Sequence, residues 1–85
     1  SFGQDGYKHL VFGGTAVATL KDGYTSTVVV ALTDATVTIV NASGDNLTSA
    51  VLSAGTPIYG CATSITVEAG EVLVYANAPV DVAFE

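Results

Sequence analysis

The chain has 85 residues, 49% of them hydrophobic and only 12% charged, and a net charge of −6 at pH 7 with Lys8 and Lys21 as the only basic side chains besides His9. This composition excludes a disordered chain, which is poor in apolar residues and rich in charge. It also argues against direct contact with nucleic acid, whose phosphates call for Lys and Arg, and with an anionic membrane surface.

A chain this short forms one domain, and the ordering cost of folding nearly cancels the gain from apolar burial. Small domains commonly compensate with disulfides, metals or assembly. Cys61 is the single cysteine, so no internal disulfide is possible, and His9 is the single histidine, too few ligands for a structural zinc site. Assembly with neighbours remains. The longest apolar run, Val28-Val29-Val30-Ala31-Leu32, is far shorter than the roughly 20 residues of a membrane helix. No basic segment leads into an apolar block of the signal-peptide kind.

Residues 1–6, Ser1-Phe2-Gly3-Gln4-Asp5-Gly6, read as an N-terminal arm with one aromatic anchor, and residues 7–85 as a single β domain. Tyr7 to Phe12 is the first expected strand, closed by Gly13-Gly14. Thr15 to Leu20 alternates small and branched residues and is the second. Lys21-Asp22-Gly23 reads as a hairpin turn, because Asp-Gly tolerates positive φ. Tyr24 to Leu32 is the third and Ala35 to Asn41 the fourth. In the fourth, Val37 and Ile39 lie on one face and Thr36, Thr38 and Val40 on the other.

Ala42 to Asn46 is a cluster of turn residues. Leu47 to Leu52 is the fifth strand, followed after Ser53-Ala54-Gly55 by Thr56 to Tyr59. Thr63 to Val67 and Glu71 to Ala76 flank Glu68-Ala69-Gly70, read as a second hairpin with its glycine in the left-handed region. Asn77-Ala78-Pro79 breaks the chain, and Val80 to Phe84 is the closing strand. No segment carries a capped 3.6-residue apolar period. The fold class is therefore all-β: a small β-sandwich or jelly-roll-like barrel of about seven to nine short strands. Its expected core is Val37, Ile39, Leu47, Val51, Ile58, Ile65, Val67, Val72 and Val74.

Residue sets that could do chemistry are sparse. A general acid/base pair needs a buried carboxyl, whereas Asp22, Asp45, Glu68 and Glu71 all flank turns. Calcium requires clustered oxygens, and the aspartates are scattered; the Asn41 to Asn46 segment reads as an ordinary turn. His9 and Cys61 have no motif that would orient a nucleophilic dyad, and Cys61 reads as a small apolar residue. Gly13-Gly14 lacks the Gly-Lys-Ser/Thr of a phosphate loop. Asn41-Ala42-Ser43 and Asn46-Leu47-Thr48 match the glycosylation pattern, as chance provides in a threonine-rich chain. The expectation is a non-enzyme with no cofactor and no metal. Among the aromatics, Tyr59 and Tyr75 sit in apolar runs and read as packing residues. Phe2, Tyr7, His9 and Tyr24 are the candidate contact residues.

One segment carries a resemblance. Leu52-Ser53-Ala54-Gly55-Thr56-Pro57-Ile58-Tyr59-Gly60, then Thr63-Ser64-Ile65-Thr66-Val67, then Gly70-Glu71-Val72-Leu73-Val74-Tyr75, resembles a β segment of small virion proteins of tailed bacteriophages. In those an Ile-Tyr-Gly turn leads to a Thr-Ser-Ile-Thr strand, and a glycine turn to a Val-Ile-Ala-Tyr strand. The likeness covers residues 47–76; Cys61-Ala62 departs from it, since the family carries a larger or charged residue there. It implies a structural role in the virion, as a decoration or cement protein on the outer surface of the head. The host cytoplasm would be the place of assembly, and the major capsid protein, other virion proteins or further copies on the shell the partners. The alternative is a glycan- or receptor-binding module of a tail fibre, knob or surface appendage, using Tyr24 and neighbouring turns.

Overall fold

The strands follow from short alternations of branched and small residues, punctuated by glycines that take positive φ. A computed structural model describes residues 6–85; Ser1 to Asp5, which make up most of the expected arm and include Phe2, lie outside the described residues. The described chain is mostly strand: β1 (Tyr7–Val11), β2 (Val17–Thr19), β3 (Ser26–Ala31), β4 (Ala35–Asn41), β5 (Leu47–Leu52), β6 (Pro57–Ala69) and β7 (Glu71–Ala76), with one short helix, α1 (Val80–Ala83). All the strand pairings are antiparallel, and they join into one sheet of order β1-β7-β3-β6-β4-β5, with β2 also on β6.

The sheet is sandwich-like because β6 belongs to both halves. Its first part pairs with β3 through Pro57 to Ala62. Its second part pairs with β4 through Ala62 to Ala69 and with β2 through Ser64 to Thr66. Thr63 is an extra residue between the partners of Val40 and Asn41. That bulge bends the strand and changes which parity points inward: Ile58 and Ala62 face the interior before it, and Ile65 and Val67 after it. The Thr63 hydroxyl donates to the Val40 carbonyl (3.2 Å) and its own carbonyl accepts from the Leu20 amide (2.9 Å), so the bulge leaves neither group idle.

Inner side chains of both halves form one core. Leu10, Val29, Val72 and Val74 meet Val37, Ile39, Leu52, Ile65 and Val67, with Ala18, Ala31, Ala35, Ala62 and Ala76 filling the narrow places. Six of the nine expected core residues are buried, and Leu47 and Ile58 pack partly against the cluster. Val51 is a correction: it is 80% exposed. Strict alternation from Leu47 points Val51 inward. But Val37 faces Ala50 while Ile39 faces Leu47, so β5 carries an extra residue at Thr48-Ser49. The extra residue flips the remainder of the strand, and Leu52 takes the interior position instead.

Three further expectations are corrected. Gly60-Cys61-Ala62 does not interrupt the chain, since the two short strands expected around it are one strand of 13 residues, β6. The turns at Asp22-Gly23 and Gly70 have the expected positive-φ glycines, but neither closes a hairpin. β2 and β3 both pair with β6, and β7 pairs with β1 and β3. The expected closing strand Val80 to Phe84 is largely α1, with Phe84 alone bridging to Leu20. Pro79 is the N-cap of this turn, and its carbonyl accepts the Val82 and Ala83 amides (2.9 Å each). The segment then covers β2, with the Lys21 amide donating to the Ala83 carbonyl (2.8 Å) and the Glu85 amide to Thr19 (2.9 Å). Phe84 is 5% exposed, under the Lys8 ammonium 6.0 Å from its ring centroid.

Candidate interaction face

The two halves of the sheet present different outer surfaces. On the β2–β6–β4–β5 half, outward positions are largely hydroxylic: Thr19, Thr36, Thr38, Ser64 and Thr66, with Val17, Val40 and Val51 among them. This is the ordinary apolar-in, polar-out alternation of a solvated antiparallel sheet.

The β1–β7–β3–β6 half breaks that rule. Register places Tyr7 opposite Tyr75, Tyr75 opposite Val28, and Val28 opposite Tyr59, which makes one row across four strands. The next row is His9, Leu73, Val30 and Pro57. Both rows point away from the core, whose contributions from these strands are Leu10, Val72, Val74, Val29 and Ile58. The face therefore carries three tyrosines with Leu73, Val30 and Pro57, and Val28 is buried among them. Tyr7 and Tyr75 stack with ring centroids 5.7 Å apart and planes tilted by 60°, an arrangement aromatic pairs favour. Val28 sits between Tyr75 and Tyr59 in its row and is 1% exposed, although it lies outside the core cluster. Tyr59 is 72% and Tyr7 52% exposed.

Among the described residues, the one acid on this face is Glu71, with a histidine beside it. His9 Nε2 lies 2.8 Å from Glu71 Oε1, with both side chains partly exposed. The remaining described acids stand elsewhere: Asp22, Asp34 and Asp45 in turns, Asp81 and Glu85 near the C-terminus, and Glu68 on the hydroxylic half. The centre of this face is thus apolar and poor in charge, the composition common at the buried centre of protein interfaces.

The four expected contact residues separate. Tyr7 and His9 are on the face. Tyr24 is half-buried against the core, beyond the Lys21–Tyr24 turn. Phe2 lies outside the described residues. Tyr59, read from sequence as a packing residue, is exposed on the face instead, whereas Tyr75 is half-buried there and packs against Tyr7. Parity holds the signal: Tyr75 alternates with Val72 and Val74, and Tyr59 follows Ile58. The run Val28 to Leu32 holds another, because a strand apolar on both sides implies cover on both sides.

The other constellations are locally satisfied. Glu68 and Glu71 part at Gly70, the first accepting from Thr38 and Ser49, the second meeting His9. The turn of Asn41 to Asn46 binds itself: Asn46 Oδ1 accepts the Asn41 amide (2.8 Å) and Asn41 Nδ2 donates to the Asp45 carbonyl (2.6 Å). Cys61 Sγ contacts the Ser43 carbonyl at 3.4 Å, on a different strand from the His9–Glu71 pair. Among the described residues, no three His, Cys, Asp or Glu side chains gather in a metal-binding group, and no helix is long and apolar enough to cross a membrane. Comparison with protein-family models, curated protein sequences and solved structures finds no match to this chain.

Proposed function

We propose that this protein is a non-catalytic assembly module, a decoration or cement protein that attaches to the outer shell of a tailed-phage head and stiffens it. The observation that carries the reading is the row Tyr7–Tyr75–Val28–Tyr59 with its neighbouring row, an apolar outer face on a strand set whose counterpart is hydroxylic. The resemblance of residues 47–76 to small phage virion proteins supplies the kind of partner. Two of the face tyrosines, Tyr59 and Tyr75, lie within that segment.

Size favours a multi-site partner over a stable free dimer. The described surface totals 4430 Å², and a standard interface takes about 800 Å² from each partner. Only part of the four-strand face is accessible, since Val28 is buried and Tyr75, Leu73 and Val30 are half-buried. Each attachment is then weak by itself. A shell that offers many identical sites, and contacts between adjacent copies, turns weak contacts into stable occupancy. The net charge of −6 would draw the protein toward basic groups on a partner and speed encounter more than tighten the complex.

The test is occupancy on particles that lack the protein. Tyr59→Ser and Tyr7→Ser should each lower occupancy by roughly tenfold or more, since each truncates an aromatic anchor. Val51→Ser, on the opposite half, should bind as the parent does. Equal occupancy for all three at matched folding, checked by circular dichroism, would remove the face from the account.

A second reading has one observation in its favour. Tyr59 borders a shallow hollow with Asn41, Gly60 and Ser26, and an exposed ring beside an amide suits stacking of a sugar. This supports a glycan-binding appendage module, with Tyr59 in the role expected of Tyr24. Copy number in purified particles separates the two, with hundreds of copies for decoration and few for an appendage.

A further inference from the structure

We infer that Glu68 is an acid-sensitive latch on the open edge of the sheet: its carboxylate holds the bulge in β5 closed, and protonation releases Leu47 to Ser49 from β4. The inference is independent of which partner the tyrosine face binds.

Three residues form a closed ring over the bulge. Ser49 Oγ donates to Glu68 Oε1 (2.7 Å), Thr38 Oγ1 donates to Glu68 Oε2, and the Ser49 amide donates to Thr38 Oγ1 (3.1 Å). Ser49 is the only non-glycine described residue with positive φ, at 49°, a conformation that persists when surrounding contacts hold it. Here the ring holds it from β4 and β6 together. β5 is the last strand of the order, so among the described residues one side of its backbone has no strand partner, and a bulge blunts such an edge against strand addition.

The ring depends on charge. A carboxylate accepts both hydroxyls, whereas a carboxylic acid has a proton of its own to place and loses acceptor capacity. The Thr38 hydroxyl first and the Ser49 hydroxyl second hold the Glu68 carboxyl below its ordinary value. Because the folded value is depressed, the latch is fully set above the unfolded value of about 4.3 and opens as pH falls through the lower folded value.

No other carboxyl lies on these strands. β2, β4 and β5 contain no ionisable side chain, and β6 adds only Tyr59 and Cys61 in its first half. Two carboxylates flank β5. Asp45 is in the β4–β5 turn, and Asp34 Oδ1 accepts the Ala54 amide (2.9 Å) beyond the far end of the strand. The His9–Glu71 pair is on the opposite half.

Solution NMR from about pH 7 to about pH 2, reaching well below the ordinary Glu value of about 4.3 to cover the depressed folded one, reads the latch directly. The cross-strand contacts Ile39–Leu47 and Val37–Ala50 report the register, and amide exchange reports opening. At low pH, Leu47 to Ser49 should lose protection several-fold more than Val37 and Val67, with loss of the Ile39–Leu47 contact. Glu68→Gln should flatten this pH response. Ser49→Gly, which adopts positive φ without help, should keep the bulge and shrink the acid effect. A full acid transition in Glu68→Gln, undiminished opening in Ser49→Gly, or unchanged protection of β5 in the parent chain would each overturn the latch.

Discussion

Gly70→Ala is expected to abolish the folded state at ambient temperature. Gly70 stands between β6 and β7, with φ at +78°, a region that penalises any Cβ. The larger effect is steric. A Cβ built there falls 2.2 Å from the Asp34 carbonyl oxygen, 2.8 Å from Thr33 Oγ1 and 3.0 Å from the Ala35 Cα. Two of these contacts are backbone, so no side-chain rotation relieves them. They arise because two connections meet: Leu32 to Asp34 carries the chain from β3 to β4, and Gly70 carries it from β6, beside β4, to β7, beside β1. Thr33 joins them, its hydroxyl accepting the Glu71 amide (3.1 Å). Moving either connection disturbs β4 or β7. A cost above about 4 kcal/mol belongs to the exceptional class of single substitutions, and it is comparable to the whole stability of a domain this small. The check is far-UV circular dichroism of purified Gly70→Ala; a folded spectrum with a midpoint within a few degrees of the parent would refute the crossing-point account. Gly23→Ala is the control, since its φ is also positive, at +88°, but a Cβ there meets nothing within 4 Å. Its cost should be about 1 kcal/mol.

Ile65→Ala should destabilise by about 2–5 kcal/mol, through lost burial and the cavity left behind. Ile65 is fully buried and lies just past the β6 bulge, opposite both Ala18 of β2 and Ile39 of β4. The cavity would open where three strands of the sheet meet, and backbone pairing on both edges of β6 limits collapse around it. In thermal unfolding of a domain this size, each kcal/mol shifts the midpoint by roughly 4–8 °C. Val51→Ala provides the contrast. It removes the same class of side chain from a position that alternation alone assigns to the core, yet Val51 is 80% exposed. Its effect should stay within about 0.5 kcal/mol. Urea denaturation of the two variants measures both; a Val51→Ala loss matching that of Ile65→Ala would place the β5 bulge elsewhere.

The fold class was legible because composition and alternation are local. β4, β5 and β7 begin and end where the residues lead one to expect, and Ala35 to Asn41 buries the face that its pattern assigns inward. Positive φ at Gly23 and Gly70 follows equally from the lack of a Cβ. Tyr7 and His9, expected from the sequence as contact residues, both fall on the outward side of the first strand.

What alternation could not decide was parity across a bulge and the identity of strand neighbours. One extra residue at Thr48-Ser49 sends Val51 outward, and one at Thr63 lets a single long strand serve both halves of the sheet. Both depend on partners distant in sequence: Thr38 and Glu68 around Ser49, Val40 and Leu20 around Thr63. The turns at Gly23 and Gly70 likewise have the backbone of tight turns but lead to strands that do not pair with each other. Tyr59 and Tyr75 join Tyr7 only because β3 and β7 lie between β6 and β1. Local residues determine that a strand forms and which of its faces is apolar. Only long-range pairing, with its register shifts, decides which apolar faces close on one another and which stays at the surface.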